Sequence, residues 1–96
     1  MISQSYAPLG YQQIGASALA SATKLTIPAG ANFALIRVET ADVRWRDDGT
    51  DPTTSAGMIM TDTDPLLAYS GTLSALSFIA VSGSPVLNVS YYRLAG

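Results

Sequence analysis

Short runs of β-branched and aromatic residues recur along this chain, and Gly, Pro, Asp and Ser separate them. Alternation of apolar and polar positions with a period of two is the mark of a strand buried on one face. The run Tyr11 to Ile14, closed by Gly15, predicts a first strand, and Thr23 to Ile27, closed by Pro28-Ala29-Gly30, a second. In that second run Leu25 and Ile27 point one way and Lys24 and Thr26 the other. Asn32 to Thr40 is the third, with Ala34, Ile36 and Val38 on one face and Phe33, Leu35, Arg37 and Glu39 on the other. Val43 to Arg46 is the fourth, with Val43 and Trp45 inward and Arg44 and Arg46 outward. A polar loop from Asp47 to Ala56 follows, and then a fifth strand, Gly57 to Thr61. Asp62-Thr63-Asp64-Pro65 reads as a turn, because Asp before Pro favours turn initiation. Leu66 to Tyr69, Ala75 to Val81 and Val86 to Arg93 complete the series. In the last of these Leu87, Val89 and Tyr91 share one face, and Asn88, Ser90 and Tyr92 the other.

About eight short strands with turn signals every 8–12 residues or so predict an all-β fold, a single antiparallel β-sandwich of jelly-roll type. The stretch from Ala16 to Ala22 has no amphipathic stripe and reads as a loop or strand edge with at most one turn of helix. The chain has 96 residues, which is one domain. Surface scaling for that length lets roughly 64% of the unfolded chain's surface be buried, enough for one core with little to spare. There is no internal repeat and no linker. Residues 1–9 precede the first strand pattern and read as an N-terminal arm, either partner-gripping or simply frayed, while residues 10–96 form the sandwich domain. Trp45, Ile36, Val38, Val89 and Leu87 are the expected core.

Two strands carry apolar residues on both faces. Phe33 and Leu35 oppose Ala34, Ile36 and Val38, and Leu76 and Phe78 oppose Ile79 and Val81. A two-layer sandwich buries one face of each strand. The second apolar face therefore calls for cover by a loop, by the N-terminal arm or by another subunit. Phe33, Leu35, Arg37 and Glu39 are on that ground the candidate protein-interaction residues.

Composition supports the same direction. Only 12% of residues are charged while 48% are hydrophobic, against about 25% charge in an average domain. Such a surface suits partial cover by a partner. Five basic and seven acidic residues give a net charge of −2, without the clustered Lys and Arg of a nucleic-acid footprint. Met1-Ile2-Ser3-Gln4-Ser5 lacks the basic and apolar regions of a signal peptide, and no apolar stretch approaches the ~20 residues of a membrane helix. A soluble product made in the cytoplasm is expected.

Catalytic chemistry is poorly provided for. The chain has neither His nor Cys, so Ser-His-Asp and Cys-His catalysis and thiolate metal sites are closed to it. A Ser–Lys pair would need Lys24, the only lysine, and its nearest serine is Ser21. Glu39 and the acidic loop residues come without the aromatic cleft of a glycosidase. No nucleophile–base–orienter set is recognisable, so the chain is read as a non-enzyme without cofactor, metal or small-molecule substrate. Asp47-Asp48-Gly49-Thr50-Asp51, with Asp42 ahead of it, holds enough carboxylates to raise Ca²⁺ binding, but lacks the EF-hand spacing and fits a solvated Asp-Gly turn better. Arg44 and Arg46 are expected to pair with Asp47, Asp48 or Asp51 across that turn, and Trp45 to anchor the core. Asn88-Val89-Ser90 fits the glycosylation triplet, which carries little weight without a signal peptide.

Ile27-Pro28-Ala29-Gly30-Ala31-Asn32-Phe33-Ala34-Leu35-Ile36-Arg37-Val38-Glu39, then Val43-Arg44-Trp45-Arg46-Asp47-Asp48-Gly49-Thr50-Asp51-Pro52-Thr53, then Leu73 to Ala80 and Val86 to Tyr92 form an ordering that resembles small virion proteins of tailed bacteriophages. The turn from Val43 to Thr53 contributes most to the likeness, which spans about residues 23 to 93. The resemblance implies a structural role as a capsid decoration (cement) protein that binds the capsid surface as an oligomer, or as a tail or head–tail adaptor. It implies location in the virion after synthesis in the host cytoplasm. The expected partners are other copies of the chain and capsid or tail proteins, with no nucleic acid and no membrane. A carbohydrate-binding β-sandwich is the reading from another class. It requires an aromatic ring lying on an open surface among polar neighbours.

Overall fold

The computed structural model of the protein describes residues 6–94. Eight strands alternate with turns: β1 Tyr6–Ile14, β2 Thr23–Lys24, β3 Phe33–Glu39, β4 Val43–Arg46, β5 Met58–Met60, β6 Leu67–Tyr69, β7 Ser77–Ala80 and β8 Val86–Leu94. One helical turn, α1 (Ala16–Leu19), joins β1 to β2, and a 3-10 turn at Leu73–Ala75 precedes β7.

The strands form two antiparallel sheets of four, in the order β1-β8-β3-β6 (sheet A) and β2-β7-β4-β5 (sheet B). The pairs β1·β8, β2·β7, β3·β6 and β4·β5 match the first strand with the last, the second with the seventh, and so inward. This is one long hairpin folded over on itself. The β3·β8 and β4·β7 ladders then knit its four rungs into two sheets. That winding is the jelly roll, so the all-β sandwich expected from the pattern is the fold.

Alternation sets the core. Ala34, Ile36 and Val38 of β3 and Leu87, Val89 and Tyr91 of β8 are all buried on the inner face of sheet A. Val43, Met60, Leu76 and Phe78 meet them from sheet B and its approach, and Leu19 of α1 closes the layer. Phe78 and Tyr91 are the largest fully buried side chains. Burying a side chain of that size is worth about 1.5–3 kcal/mol.

Several elements differ from the expected spans. The first strand starts at Tyr6, so Tyr6 to Leu9 belong to β1, in register with β8, and are not a separate arm. Their pattern is obscured because Leu9 is the extra residue of a bulge between Pro8 and Gly10, which breaks the period of two. The rest of the expected arm, residues 1–5, lies outside the described residues. The second strand stops at Lys24: Thr26 N–H donates to Gln12 Oε1 of β1 at 3.1 Å in place of a ladder bond. Leu25 and Ile27 still pack on the core. Trp45 sits at the rim of that core, half-buried, edge-on to Tyr69 with centroids 6.3 Å apart. It borders the open side of the sandwich, where the three-residue edge strands β5 and β6 leave a gap between the sheets.

The edges are managed as well. The edge strands β2, β5 and β6 have two or three residues each, and the long edge strand β1 carries Pro8 and the bulge. Both devices discourage strand addition by a second chain.

Candidate functional site

Register places the four sequence-predicted residues together on the outer face of sheet A. Phe33 lies opposite Tyr92, Leu35 opposite Ser90, Arg37 opposite Asn88 and Glu39 opposite Val86. On the other side of β8, Tyr6 lies opposite Leu94, Pro8 opposite Tyr92, Tyr11 opposite Ser90 and Gln13 opposite Asn88. Ala68 of β6 adjoins Leu35. The face is therefore a set of rows, aromatic at one end and polar at the other.

At the aromatic end, Tyr6 meets Phe33 edge-on at 5.5 Å and Tyr92 edge-on at 5.9 Å, and Phe33 tilts against Tyr92 at 6.1 Å. This cluster buries Phe33 to 8% exposure. The second apolar face of β3 is thus partly covered from within the chain, by Tyr6, which the alternation pattern assigns to an arm, and by Tyr92 of β8. Phe33 supports the surface more than it contributes contact area.

The middle of the face remains open. Leu35 is half-buried, while Tyr11 (63% exposed) and Leu66 (52% exposed) stand on either side of it. Together with Arg37, Asn88 and Ser90 they line a shallow concavity of about 370 Å³. At the polar end one amide gathers its neighbours. Asn88 Oδ1 accepts from Tyr11 Oη and from Gln13 Nε2, the latter at 3.1 Å. Asn88 Nδ2 donates to Glu39 Oε2 at 3.3 Å. Three strands thereby fix the positions of Tyr11, Gln13 and Glu39. Exposed hydrogen bonds of this kind add little net stability, so their main consequence is the placement of these groups.

Leu66 also borders a second apolar groove of about 300 Å³, formed with Trp45, Met58, Ile59, Met60, Asp64, Pro65 and Leu67 at the β5–β6 opening. Met58 and Ile59 are exposed. An apolar strip thus runs from Tyr11 and Leu35 across Leu66 to the sandwich's open side. Tyr11, Gln13, Asn88 and Leu66 are not among the interaction residues expected from the sequence. Alternation back from the buried Ile14 puts Tyr11 and Gln13 on the outer face, and the bulge at Leu9 is what places Tyr6 and Pro8 on that same face.

The acidic loop is occupied by structural contacts. Arg46 binds Asp48 bidentately, Nη2 to Oδ2 at 2.5 Å and Nε to Oδ1 at 3.0 Å. The expected pairing is met for Arg46. The hydrogen bond from Arg46 lowers the Asp48 carboxyl below its ordinary value, and the same bond raises the guanidinium. Arg44 instead donates to backbone carbonyls, Nη1 to Gly57 O at 2.8 Å and Nε to Thr54 O at 3.3 Å, holding the loop against β4. The pairing expected for Arg44 fails because those carbonyls lie closer along the returning loop. Asp47 Oδ2 accepts from Tyr69 Oη at 2.7 Å. Burial first, and then this bond, push the Tyr69 phenol up. No group of three or more metal-ligating side chains converges among the described residues.

On the outer face of sheet B, Lys24, Ser77 and Arg46 share one row, and Ile79, Arg44 and Ile59 the next. Ser77 Oγ is buried without a hydrogen-bond partner. No helix among the described residues is long and apolar enough to cross a membrane. Comparison with protein-family models, with curated proteins and with solved structures finds no match to this chain.

Proposed function

We propose that this chain is a non-enzymatic structural protein that works by docking on other protein surfaces, as a capsid decoration protein of a tailed bacteriophage. The observation that carries the reading is the open apolar middle of sheet A's outer face, where Leu35 lies between the exposed side chains of Tyr11 and Leu66. Leaving a large apolar side chain wet forfeits roughly 1.5–3 kcal/mol that a partner would recover. The apolar strip continues past Leu66 to Met58 and Ile59, so a partner with a matching apolar surface gains along its whole length. Arg37 and Glu39 at the polar end give such a partner a register. Jelly rolls occur in viral capsid domains, a support by fold analogy alone. The resemblance of residues 23 to 93 to small phage virion proteins supplies the choice of particle.

Within this reading the chain occupies either the capsid lattice or the tail. Quantitative mass spectrometry of purified phage particles separates the two. Hundreds of copies per particle, in ratio to the major capsid protein, fit decoration. A handful of copies moves the chain to the tail or head–tail connection, and absence from the particle overturns the proposal.

A further inference from the structure

We propose that the concavity beside Tyr11 is a binding site for an uncharged saccharide ring. The concavity lies on the face that the docking proposal also uses, so a saccharide and a docked partner would exclude each other there, and the inference rests on what the concavity's walls offer. Its floor is Leu35, and Tyr11 rises on one side with 63% of its surface exposed. A pyranose carries an apolar patch of C–H groups on its face, and an exposed aromatic ring beside an aliphatic floor is the surface that takes it. The hydrogen bond from Tyr11 to Asn88 holds the phenol in place before any ligand arrives, which reduces the ordering cost of binding.

The rim is polar in a particular order. Asn88 has given one amide N–H to Glu39 and keeps the second. Glu39, beside Asn88 but outside the concavity's lining, has one carboxylate oxygen engaged by that bond. Arg37 makes no hydrogen bond or ion pair among the described residues, and its side chain, a donor of five N–H groups, lines the same space. Donors and acceptors therefore stand side by side. A vicinal pair of sugar hydroxyls, each both donor and acceptor, satisfies such a rim. A cation meets Arg37, and an anion drawn to Arg37 also nears Glu39 two residues along the same face of β3, so a neutral ring is the occupant that neither charge opposes. A purely apolar ligand strips water from these groups and returns nothing. The volume of about 370 Å³ is suited to one ring.

The test is an NMR titration of the ¹⁵N-labelled full chain with a panel of neutral oligosaccharides built from glucose, galactose, mannose and N-acetylglucosamine. A uronic-acid oligosaccharide and an amino-sugar oligosaccharide serve as charged arms. At least one neutral sugar should shift the amides of Tyr11, Arg37, Asn88 and Ser90, with a Kd near or below about 1 mM. Tyr11→Ala and Asn88→Ala should each weaken that sugar at least about tenfold, while both variants keep the wild-type melting curve because both side chains lie on the solvent side. Tyr11→Phe, which keeps the ring, should lose less than Tyr11→Ala. The inference is overturned if no neutral sugar shifts these amides, if a charged arm binds more tightly than every neutral one, or if Tyr11→Ala binds as the wild type does.

Discussion

Tyr91 donates its phenolic proton to Gln12 Oε1 at 2.7 Å across the β8–β1 pair, and the same oxygen accepts the backbone N–H of Thr26 at 3.1 Å. One amide thus ties a core tyrosine to the segment that leaves β2. Burial pushes the Tyr91 phenol up from 10.0 to about 12. A folded-state value above the unfolded one favours the fold at every pH below about 10, and that advantage is lost as pH rises toward 12. The wild type should therefore lose about 2 kcal/mol between these limits through this group. Tyr91→Phe should be less stable at pH 7 by about 1 kcal/mol, having lost the hydrogen bond. It should fall less steeply in alkali, as urea unfolding at pH 8, 10 and 11.5 would reveal. Parallel pH curves for the two proteins would contradict this account of Tyr91.

Gly71 packs closely against the ring of Tyr69. A Cβ at this position would lie 2.6 Å from Tyr69 Oη and 2.8 Å from Cζ. The ring would have to swing away, breaking its bond to Asp47 and its edge contact with Trp45. Gly71→Ala should cost about 1–2 kcal/mol. Trp45 is the only tryptophan, so its fluorescence reports the displacement directly. An unchanged emission spectrum together with an unchanged melting temperature would show that Tyr69 is not held in this way.

How much of this was legible in the sequence depended on where the period of two survived. β4 and β8 were expected at Val43 to Arg46 and Val86 to Arg93, and they form Val43–Arg46 and Val86–Leu94, because each keeps unbroken alternation. The assignment of Phe33, Leu35, Arg37 and Glu39 to one outer face followed from the same rule. What alternation cannot reveal is a partner far along the chain. Phe33 is covered by Tyr6 and Tyr92, and the Leu9 bulge conceals that Tyr6 belongs to a strand. Gln12 and Thr26 each look like ordinary polar strand residues, yet their bond ends β2 early. The polar cluster around Asn88 joins β1, β3 and β8, whose closure no local pattern encodes.

Metal should be unnecessary for stability. Asp48 is engaged by Arg46 and Asp47 by Tyr69, which leaves Asp51 as the uncommitted carboxylate of the 47–51 run. Calcium sites draw on six or more oxygen ligands. Neither EDTA nor millimolar Ca²⁺ should move the melting temperature. A rise of several degrees with Ca²⁺ would mean that the loop rearranges to bind the ion, since a ligand of the folded state stabilises it by mass action.

Acid should weaken the Arg46–Asp48 pair in a defined direction. Asp48 titrates below its ordinary value in the fold, so the stability it contributes is present above pH 3.8 and is lost as pH falls through the depressed folded value. Both groups are solvent-accessible, so the contribution is small. Asp48→Asn should flatten the acid limb of the stability curve slightly and leave the neutral plateau nearly unchanged. A large loss at pH 7 would assign the pair a weight that its exposure does not support.

The most direct test of the docking account is Leu35→Asp. Leu35 is half-buried on the outer face, flanked by Tyr11, Leu66 and Arg37, and away from the core that Ala34, Ile36 and Val38 form on the other side of β3. A carboxylate there should leave the isolated domain folded, with a melting temperature within a few degrees of the wild type, while abolishing self-association and binding to phage particles that lack the protein. Sedimentation velocity of wild type and variant, each alone and mixed with such particles, reads both effects in one experiment. The account predicts that the wild type assembles or co-sediments and that folded Leu35→Asp does neither. A wild type that stays monomeric and leaves the particles bare, or a Leu35→Asp that binds as the wild type does, would contradict it.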